Sequence, residues 1–403
     1  MRTRWKSVEI ALAGFAALWT ASADAQTVKI GVISSYSGAA GGSVIADLMD
    51  KAINLYVKQN ESKLGGVKIE LVRRDDTGIA PDTAKRLAQE LITRDRVQFI
   101  TGLIYTPNAN AVAPLATEAK VPVVIMNAGT SSTMRLSPYL ARVSFTLWQS
   151  SYPLGQWAAK QPNTKKAFTA VADYGPGIDA EQAFTKAFTD GGGQIVGSVR
   201  MPPTNAEMTP FLQRALDAKP DVLFVFVPAG TQATAIMKIY GDLGMAKAGI
   251  KLIGPGDLTP DEELPNMGGI ASTDGIITMH HYTANAKRPE NLAFVDAWKK
   301  EYGPNSSPSF YSVAAWDGMD AIFTAIRAQN GRVDGDKTME ILKTWQNPAS
   351  PRGPVRIDPE TRDVVQNEYM RRLERVDGKL VNVEFETIPM VKDPWPQFNP
   401  PPR

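Results

Sequence analysis

Residues 97–132 read VQFITGLIYTPNANAVAPLATEAKVPVVIMNAGTSS, and this stretch decides the fold. Val97 to Leu103 is a short apolar run of strand type. A helix from Pro107 to Lys120 follows, with proline at its first position, where the missing N–H costs no hydrogen bond. A second apolar run, VPVVIM, closes the unit at 121–126. Two strands joined by one helix lie parallel, because a crossover of this length returns the chain to the same sheet edge.

The same alternation extends in both directions. Upstream, Val28–Ile33 and Val67–Val72 read as strands. Ile45, Leu48, Met49, Ala52, Ile53 and Tyr56 recur at helical spacing between them, and PDTAKRLAQELITRD (81–95) is a further helix. Downstream of about residue 150 the strands are KAFTAVADY (166–174), QIVGSV (194–199), DVLFVFV (221–227) and KLIG (251–254), followed by Ile276–Tyr282. Helices are expected near Asp179–Asp190, Met208–Ala218 and Thr231–Met245, and then over Pro289–Tyr302 and Ser309–Gln329. Tyr369–Thr387 alternates around Asp377-Gly378, a hairpin signal. The proline-rich end DPWPQFNPPPR is expected to lie extended on the surface. The expected fold class is therefore α/β: two doubly wound, Rossmann-like lobes.

Composition narrows the function. The 403 residues include no cysteine and two histidines, with 44 basic and 42 acidic side chains. Disulfides, thiolate metal sites and a cysteine nucleophile are excluded, and general-base chemistry has little material. A formal charge of +2 supplies no field for nucleic acid. Arg2, Arg4 and Lys6, the apolar run Ile10–Trp19 and Ala23-Asp24-Ala25 have the pattern of a cleavable signal peptide over 1–25, cut after Ala25. That run is about half of the ~20 residues a membrane anchor needs. The expectation is a periplasmic protein without stable membrane insertion. Lacking a cysteine to lipidate, it would be free rather than tethered.

Candidate chemistry lies in the loops after strands. Gly175-Pro176-Gly177-Ile178-Asp179-Ala180 fits a dinucleotide fingerprint, G-x-G-x-x-A, between a strand and a helix. The acidic partner expected about 20 residues on is missing, since the next strand ends Val199-Arg200-Met201. A tight glycine turn before a helix is the other reading. His280 and His281, adjacent on a strand, are expected on opposite faces, and Asp261-Glu262-Glu263 as a solvated first helical turn. No G-x-S-x-G or Walker sequence is present. Tyr105, Thr106 and Pro107 end strand three, and Asn127, Ala128, Gly129 and Thr130 end strand four, each before an expected helix start. Both loops fall at the carboxyl edge of one sheet, where open α/β sheets bind ligands. Thr106 is read as an N-cap. Hydroxyls and unpaired N–H groups there suit a carboxylate without lysine or arginine.

IGVISSYSG (30–38), DDTGIAPDTAKRLAQELI (75–92), FITGLIYTPNANAVAPLA (99–116), VPVVIMNAGTSS (121–132), ADYGPGIDAEQAF (172–184), YSVAAWDGMDAI (311–322) and GPVRIDPETRD (353–363) occur in this order. In that order and spacing the chain resembles the type I periplasmic solute-binding proteins of ABC importers, in the branched-chain amino acid and amide branch. The resemblance implies ligand enclosed between two lobes joined by three hinge crossovers, near Ser144–Trp148, Thr278–Tyr282 and Pro351–Val355. It implies a first lobe of 26–145 plus 280–352 and a second of 146–279 plus 353–403. It also implies permease and ATPase partners, no cofactor and no catalysis. By resemblance Thr106 and Ala128–Thr130 hold the ligand carboxylate, and Tyr174 stands in the family's aromatic position. Tyr36 and Ser37 contribute from the first loop, and Asp257 in GPGDL meets a ligand ammonium.

One departure shifts the expected ligand. The first crossover, SFTLWQSSYPLG (144–155), lacks the family's frequent acidic residue and carries Trp148 and Tyr152 instead. A buried ammonium short of one carboxylate is costly. With Tyr36, Tyr105 and Tyr174, these rings point to an aromatic acid, with hydrophobic or branched-chain amino acids next. A ligand-sensing receptor module of the same fold and a nicotinamide-dependent dehydrogenase remain the alternatives.

Overall fold

The computed structural model describes residues 26–38, 42–204, 207–228 and 230–401. The signal-peptide reading of 1–25 lies outside the described residues. In the first lobe β1 (Thr27–Ser34), α1 (Gly42–Asn60), β2 (Lys68–Asp75), α2 (Pro81–Glu90), β3 (Phe99–Gly102), α3 (Thr106–Ala119), β4 (Val123–Ile125) and β5 (Leu140–Arg142) follow in turn. Their sheet runs β2-β1-β3-β4-β5, every neighbour parallel.

The second lobe repeats the plan. It comprises α4 (Leu147–Lys160), β6 (Lys166–Ala172), α5 (Gly175–Asp190), β7 (Gln194–Met201), α6 (Thr209–Asp217), β8 (Val222–Phe226), α7 (Thr231–Asp242), β9 (Lys251–Pro255), the single turn α8 (Leu264–Met267) and β10 (Ile277–His280). Its parallel part runs β7-β6-β8-β9-β10. Both orders reverse direction beside the first strand of the lobe, which opens a crevice at the carboxyl ends.

The chain then returns to the first lobe as α9 (Pro289–Tyr302), α10 (Phe310–Ala328) and α11 (Gly335–Lys343). Tyr56 of α1 packs edge-on against Trp316 and Phe323 of α10 and donates to Asp320 at 2.7 Å. It rejoins the second sheet through β11 (Gln346–Asn347), β12 (Val355–Ile357), β13 (Val364–Val376) and β14 (Lys379–Val391), added antiparallel beside β10. The β13–β14 hairpin turns at Asp377 and Gly378, both at positive φ (50° and 75°), as a two-residue turn of this hand requires. β8 shows why a continuous apolar run marks a central strand. Val222, Phe224 and Phe226 face one core, where Phe224 stacks on Phe184 of α5, while Leu223 and Val225 face the other.

Three crossings join the lobes, after β5, after β10 and between α11 and β12. Arg352 is fully buried at the third and ties it to the first. Its guanidinium pairs with Asp317 (2.7 Å) and donates to the Ser144 and Val143 carbonyls.

Several expectations need correction. β5, α4 and α11 were not legible; α4 starts where Thr146 and Gln149 form a reciprocal capping box. The segment 353–403 adds β12, β13 and β14 to the second sheet but also contacts the first lobe. Its loop at 358–363 reaches back to the first, where Arg142 N–H donates to Arg362 O and Arg362 donates to the Leu140 and Met134 carbonyls. The His280 and His281 rings are not on opposite faces but 4.3 Å apart, because β10 ends at His280 and strand alternation stops there. Asp261 is only partly exposed and is tied down: it accepts from Thr283, the Ala284 N–H and Asn382. Nor is the chain end wholly extended. It forms the short helix α12 (Trp395–Phe398), with Arg135 over the Trp395 ring.

Candidate ligand-binding cleft

The carboxyl ends of the two parallel sheets meet around a narrow cleft of about 20 Å³. It is lined by Ile104, Tyr105 and Thr106 after β3, Asn127 and Gly129 after β4, and Phe145 and Leu147 at the first crossing. The second lobe adds Tyr174 and Pro176 after β6, Phe226 and Pro228 after β8, and Asp257 after β9. Ile45 of α1 and Tyr311 of α10 complete the wall.

Backbone geometry sets the first-lobe loops. Gly102 and Leu103 both take positive φ (92° and 59°), and a Cβ on Gly102 would fall 2.3 Å from Ile33 O. This bend carries Ile104–Thr106 across the sheet edge. The helix begins with Thr106, and its N-cap position is Tyr105. Thr106 is therefore not the N-cap, and its hydroxyl is free to accept from Thr130 Oγ1 at 3.1 Å. The loop after β4 is held by its own backbone. Ala128 N–H donates to Leu103 O and Asn127 Nδ2 to Ile104 O, while buried Arg142 donates to the Ala128 and Thr130 carbonyls. A 3₁₀ turn, Ser131–Leu136, follows in place of the expected α-helix.

Two helix N-termini face the cleft, since Thr106 opens α3 and Pro176 lies in the first turn of α5. Their partial positive charge, with the Thr106 and Thr130 hydroxyls, favours an anion. Lysine and arginine are absent from the lining among the described residues. Five rings wall the space: Tyr105, Phe145, Tyr174, Phe226 and Tyr311, with Tyr174 stacked on Phe226 at 6.1 Å. Burial pushes the Tyr105 phenol up to about 12, and its Oη has no hydrogen-bond partner. Asp257 sits in a 3₁₀ turn (Gly256–Leu258), and burial pushes its carboxyl up to about 7.

The lobes touch across this cleft. Ser131 N–H donates to Asp179 at 2.8 Å, and Gly175 lies so close to Thr130 that a Cβ there would be 2.6 Å from Thr130 Oγ1. A Cβ on Gly177 would meet Ala172 O at 1.9 Å. The GPGIDA glycines thus serve close packing at the lobe junction and against β6, the tight-turn reading of that motif.

Of the residues singled out from sequence, Tyr105, Thr106, Asn127, Gly129, Tyr174 and Asp257 line the cleft. Ala128 shapes the loop through its backbone, and Thr130 enters by its bond to Thr106. Tyr36 and Ser37 do not line it: Tyr36 donates to Asp50 and Ser37 to Asp75. Trp148 and Tyr152, one helical turn apart on α4, share a face that packs on Phe398 (5.6 and 5.4 Å) instead. The helix could not be read from SFTLWQSSYPLG, so neither could the face. Sequence reasoning missed Phe145, Phe226 and Tyr311; the Ser309 N-cap just before Tyr311 was the available signal.

The family described as periplasmic binding protein matches residues 27–379. The chain belongs to that family. This binding protein is 40% identical over 385 residues to Leu/Ile/Val-binding protein homolog 6 of Brucella melitensis, covering 95% of this chain and 97% of the relative. It is 47% identical to a solute binding protein of an ABC transporter from Rhodopseudomonas palustris BisB5, solved in complex with 3,4-dihydroxybenzoic acid. That match has a TM-score of 0.86 and covers 92% of this chain and 99% of the other. Another R. palustris solute binding protein, in complex with 4-hydroxybenzoate, is 42% identical with a TM-score of 0.87 and the same coverage. The family is one of solute-binding receptors, not of enzymes. Among the described residues no helix is long and apolar enough to cross a membrane.

Proposed function

We propose that this binding protein is the extracytoplasmic receptor of an ABC importer and captures a small aromatic carboxylate for delivery to the permease and its ATPase. Five aromatic rings around a cleft with neither lysine nor arginine carry this assignment. Flat rings stack favourably on such walls. The carboxylate is assigned to Thr106 and Thr130 with the α3 and α5 N-termini, and the ring to Tyr105, Tyr174, Phe145, Phe226 and Tyr311. The hydroxybenzoates bound by the R. palustris relatives are of this chemical class. Ligand touches both lobes only when they are closed, so it favours that state by its differential affinity.

A hydrophobic amino acid is the second reading, favoured by the name of the Brucella relative. Asp257 is the one carboxyl in the lining among the described residues. Burial pushes its carboxyl up to about 7, so an ammonium would have to displace its proton on binding. Calorimetric titration with benzoate, 4-hydroxybenzoate, leucine, isoleucine and phenylalanine tests the assignment. Tighter binding of leucine than of either benzoate overturns it. Residues 1–25 are proposed as the export signal, so periplasmic protein should begin at Gln26 by mass spectrometry.

A further inference from the structure

Behind the cleft wall lies a polar pair without partners. Asp257 Oδ2 and His280 Nε2 are 3.9 Å apart, both residues are buried, and neither atom has a hydrogen-bond partner. The proton on His280 can be placed. His281 N–H donates to His280 Nδ1 at 2.9 Å, so Nδ1 presents a lone pair. Burial, with Arg371 and Arg352 nearby, holds His280 well below its ordinary range and therefore neutral. Its remaining proton is on Nε2, facing Asp257.

The ring cannot easily turn away. Phe145 packs edge-on at 4.9 Å, Phe310 lies at 4.3 Å, and a Cβ on Gly256 would be 2.1 Å from His280 Cδ2. Arg371, fully buried on β13, donates to Gly256 O and the Thr259 and Thr278 hydroxyls beside the same turn. The Asp257 backbone N–H and the Arg371 charge favour ionised Asp257, and His280 Nε2 lies 3.9 Å from its Oδ2. Opposing them is desolvation, and Glu262 nearby interacts with Asp257 as a like charge. Tyr105, Tyr174 and Tyr311 face the same space as neutral phenols. Asp257 is poised between acid and carboxylate, and one additional donor decides which it is.

Resting on the aromatic-carboxylate reading of the cleft, we propose that Asp257 accepts a hydrogen bond from a ring hydroxyl of the ligand. His280 acts as the residue that positions Asp257. The receptor thereby selects hydroxylated aromatic carboxylates and releases a proton from Asp257 to solvent as it binds them.

Titration calorimetry of the full mature chain with benzoate and 4-hydroxybenzoate, at pH 6 and pH 8.5 in two buffers of unequal ionisation enthalpy, tests this. A hydrogen bond to a charged group corresponds to roughly 10- to 100-fold tighter binding of 4-hydroxybenzoate. Its binding at pH 6 should release up to one proton and at pH 8.5 almost none, whereas benzoate releases none at either. Asp257→Asn should bring the two ligands within about threefold of each other and abolish the release. His280→Phe keeps the ring packing but removes the N–H, and should move the proton release to higher pH. If that variant does not fold, the wild-type proton count and Asp257→Asn still decide. Equal affinity for both ligands, or a hydroxyl preference that survives Asp257→Asn, overturns the assignment. Failure of the wild type to bind benzoate at all instead overturns the aromatic-carboxylate reading beneath it.

Discussion

Gly175→Ala should weaken ligand binding without weakening the fold. Gly175 opens α5 with no unusual φ, so alanine fits the backbone and slightly favours the helix. In the closed arrangement the new methyl lies 2.6 Å from Thr130 Oγ1, about 0.8 Å inside ordinary contact. Thr130 is β-branched, and its Cβ and Cγ2 are each 3.5 Å from the methyl. Turning χ1 so that only hydrogen faces the methyl relieves the clash but breaks the bond to Thr106. The cost therefore runs from about 1 kcal/mol for that bond to about 3 kcal/mol for overpacking. In an open arrangement the methyl meets solvent, so the whole cost falls on closure. Affinity should drop roughly 5- to 150-fold, with the melting temperature of the free protein equal or higher. Adding Gly175→Ala to Thr130→Ala should cost almost nothing further, since the remaining Cβ is at ordinary distance. Wild-type affinity in the single variant, or an equal loss in the Thr130→Ala background, would refute closure through this contact.

Thr106→Ala and Thr130→Ala should each weaken ligand binding by ~1–3 kcal/mol through loss of hydrogen bonds to a carboxylate, measured by calorimetry. Arg352→Ala strands Asp317 in the hinge and should cost roughly 3–5 kcal/mol of stability, read as a lower denaturation midpoint. A change below about 1 kcal/mol would mean the crossings do not depend on that pair. Burial pushes Glu262 and Glu368 up to about 8, so from pH ~4 to ~8 the folded chain keeps protons that the unfolded chain has released. Stability should accordingly fall as pH rises through that window. Glu262→Gln should flatten the decline in melting temperature between pH 5 and pH 8, and an unchanged slope would exclude Glu262 as a contributor.

Much of this protein was legible in the chain because it rests on local rules. The central parallel strands are short apolar runs, α2, α3, α5 and α6 carry proline in their first turn, and Asp377-Gly378 marks its hairpin without any tertiary help. The loops after β3 and β4 could be read as a site because a parallel sheet must place them at one edge. Legibility failed where an element lacks periodicity or a neighbour decides its face. α4 carries Pro153 inside it and polar residues on both sides, so Trp148 and Tyr152 looked like cleft residues. Their stacking on Phe398 is set some 250 positions away in the chain. The aromatic proposal rests on Phe145, Phe226 and Tyr311, which supply the rings that Tyr36, Trp148 and Tyr152 do not.

By itself the sequence determined the two α/β lobes and the hydroxyl-bearing loops, because periodicity and turn chemistry act over a few residues; the family was legible only as a resemblance carried by the order of its motifs. Only the tertiary structure decided which rings wall the cleft, and that Gly175 abuts Thr130. It also placed His280 behind Asp257. Those relations join residues far apart in the chain, and burial and charge between them exist only once both lobes are folded and brought together.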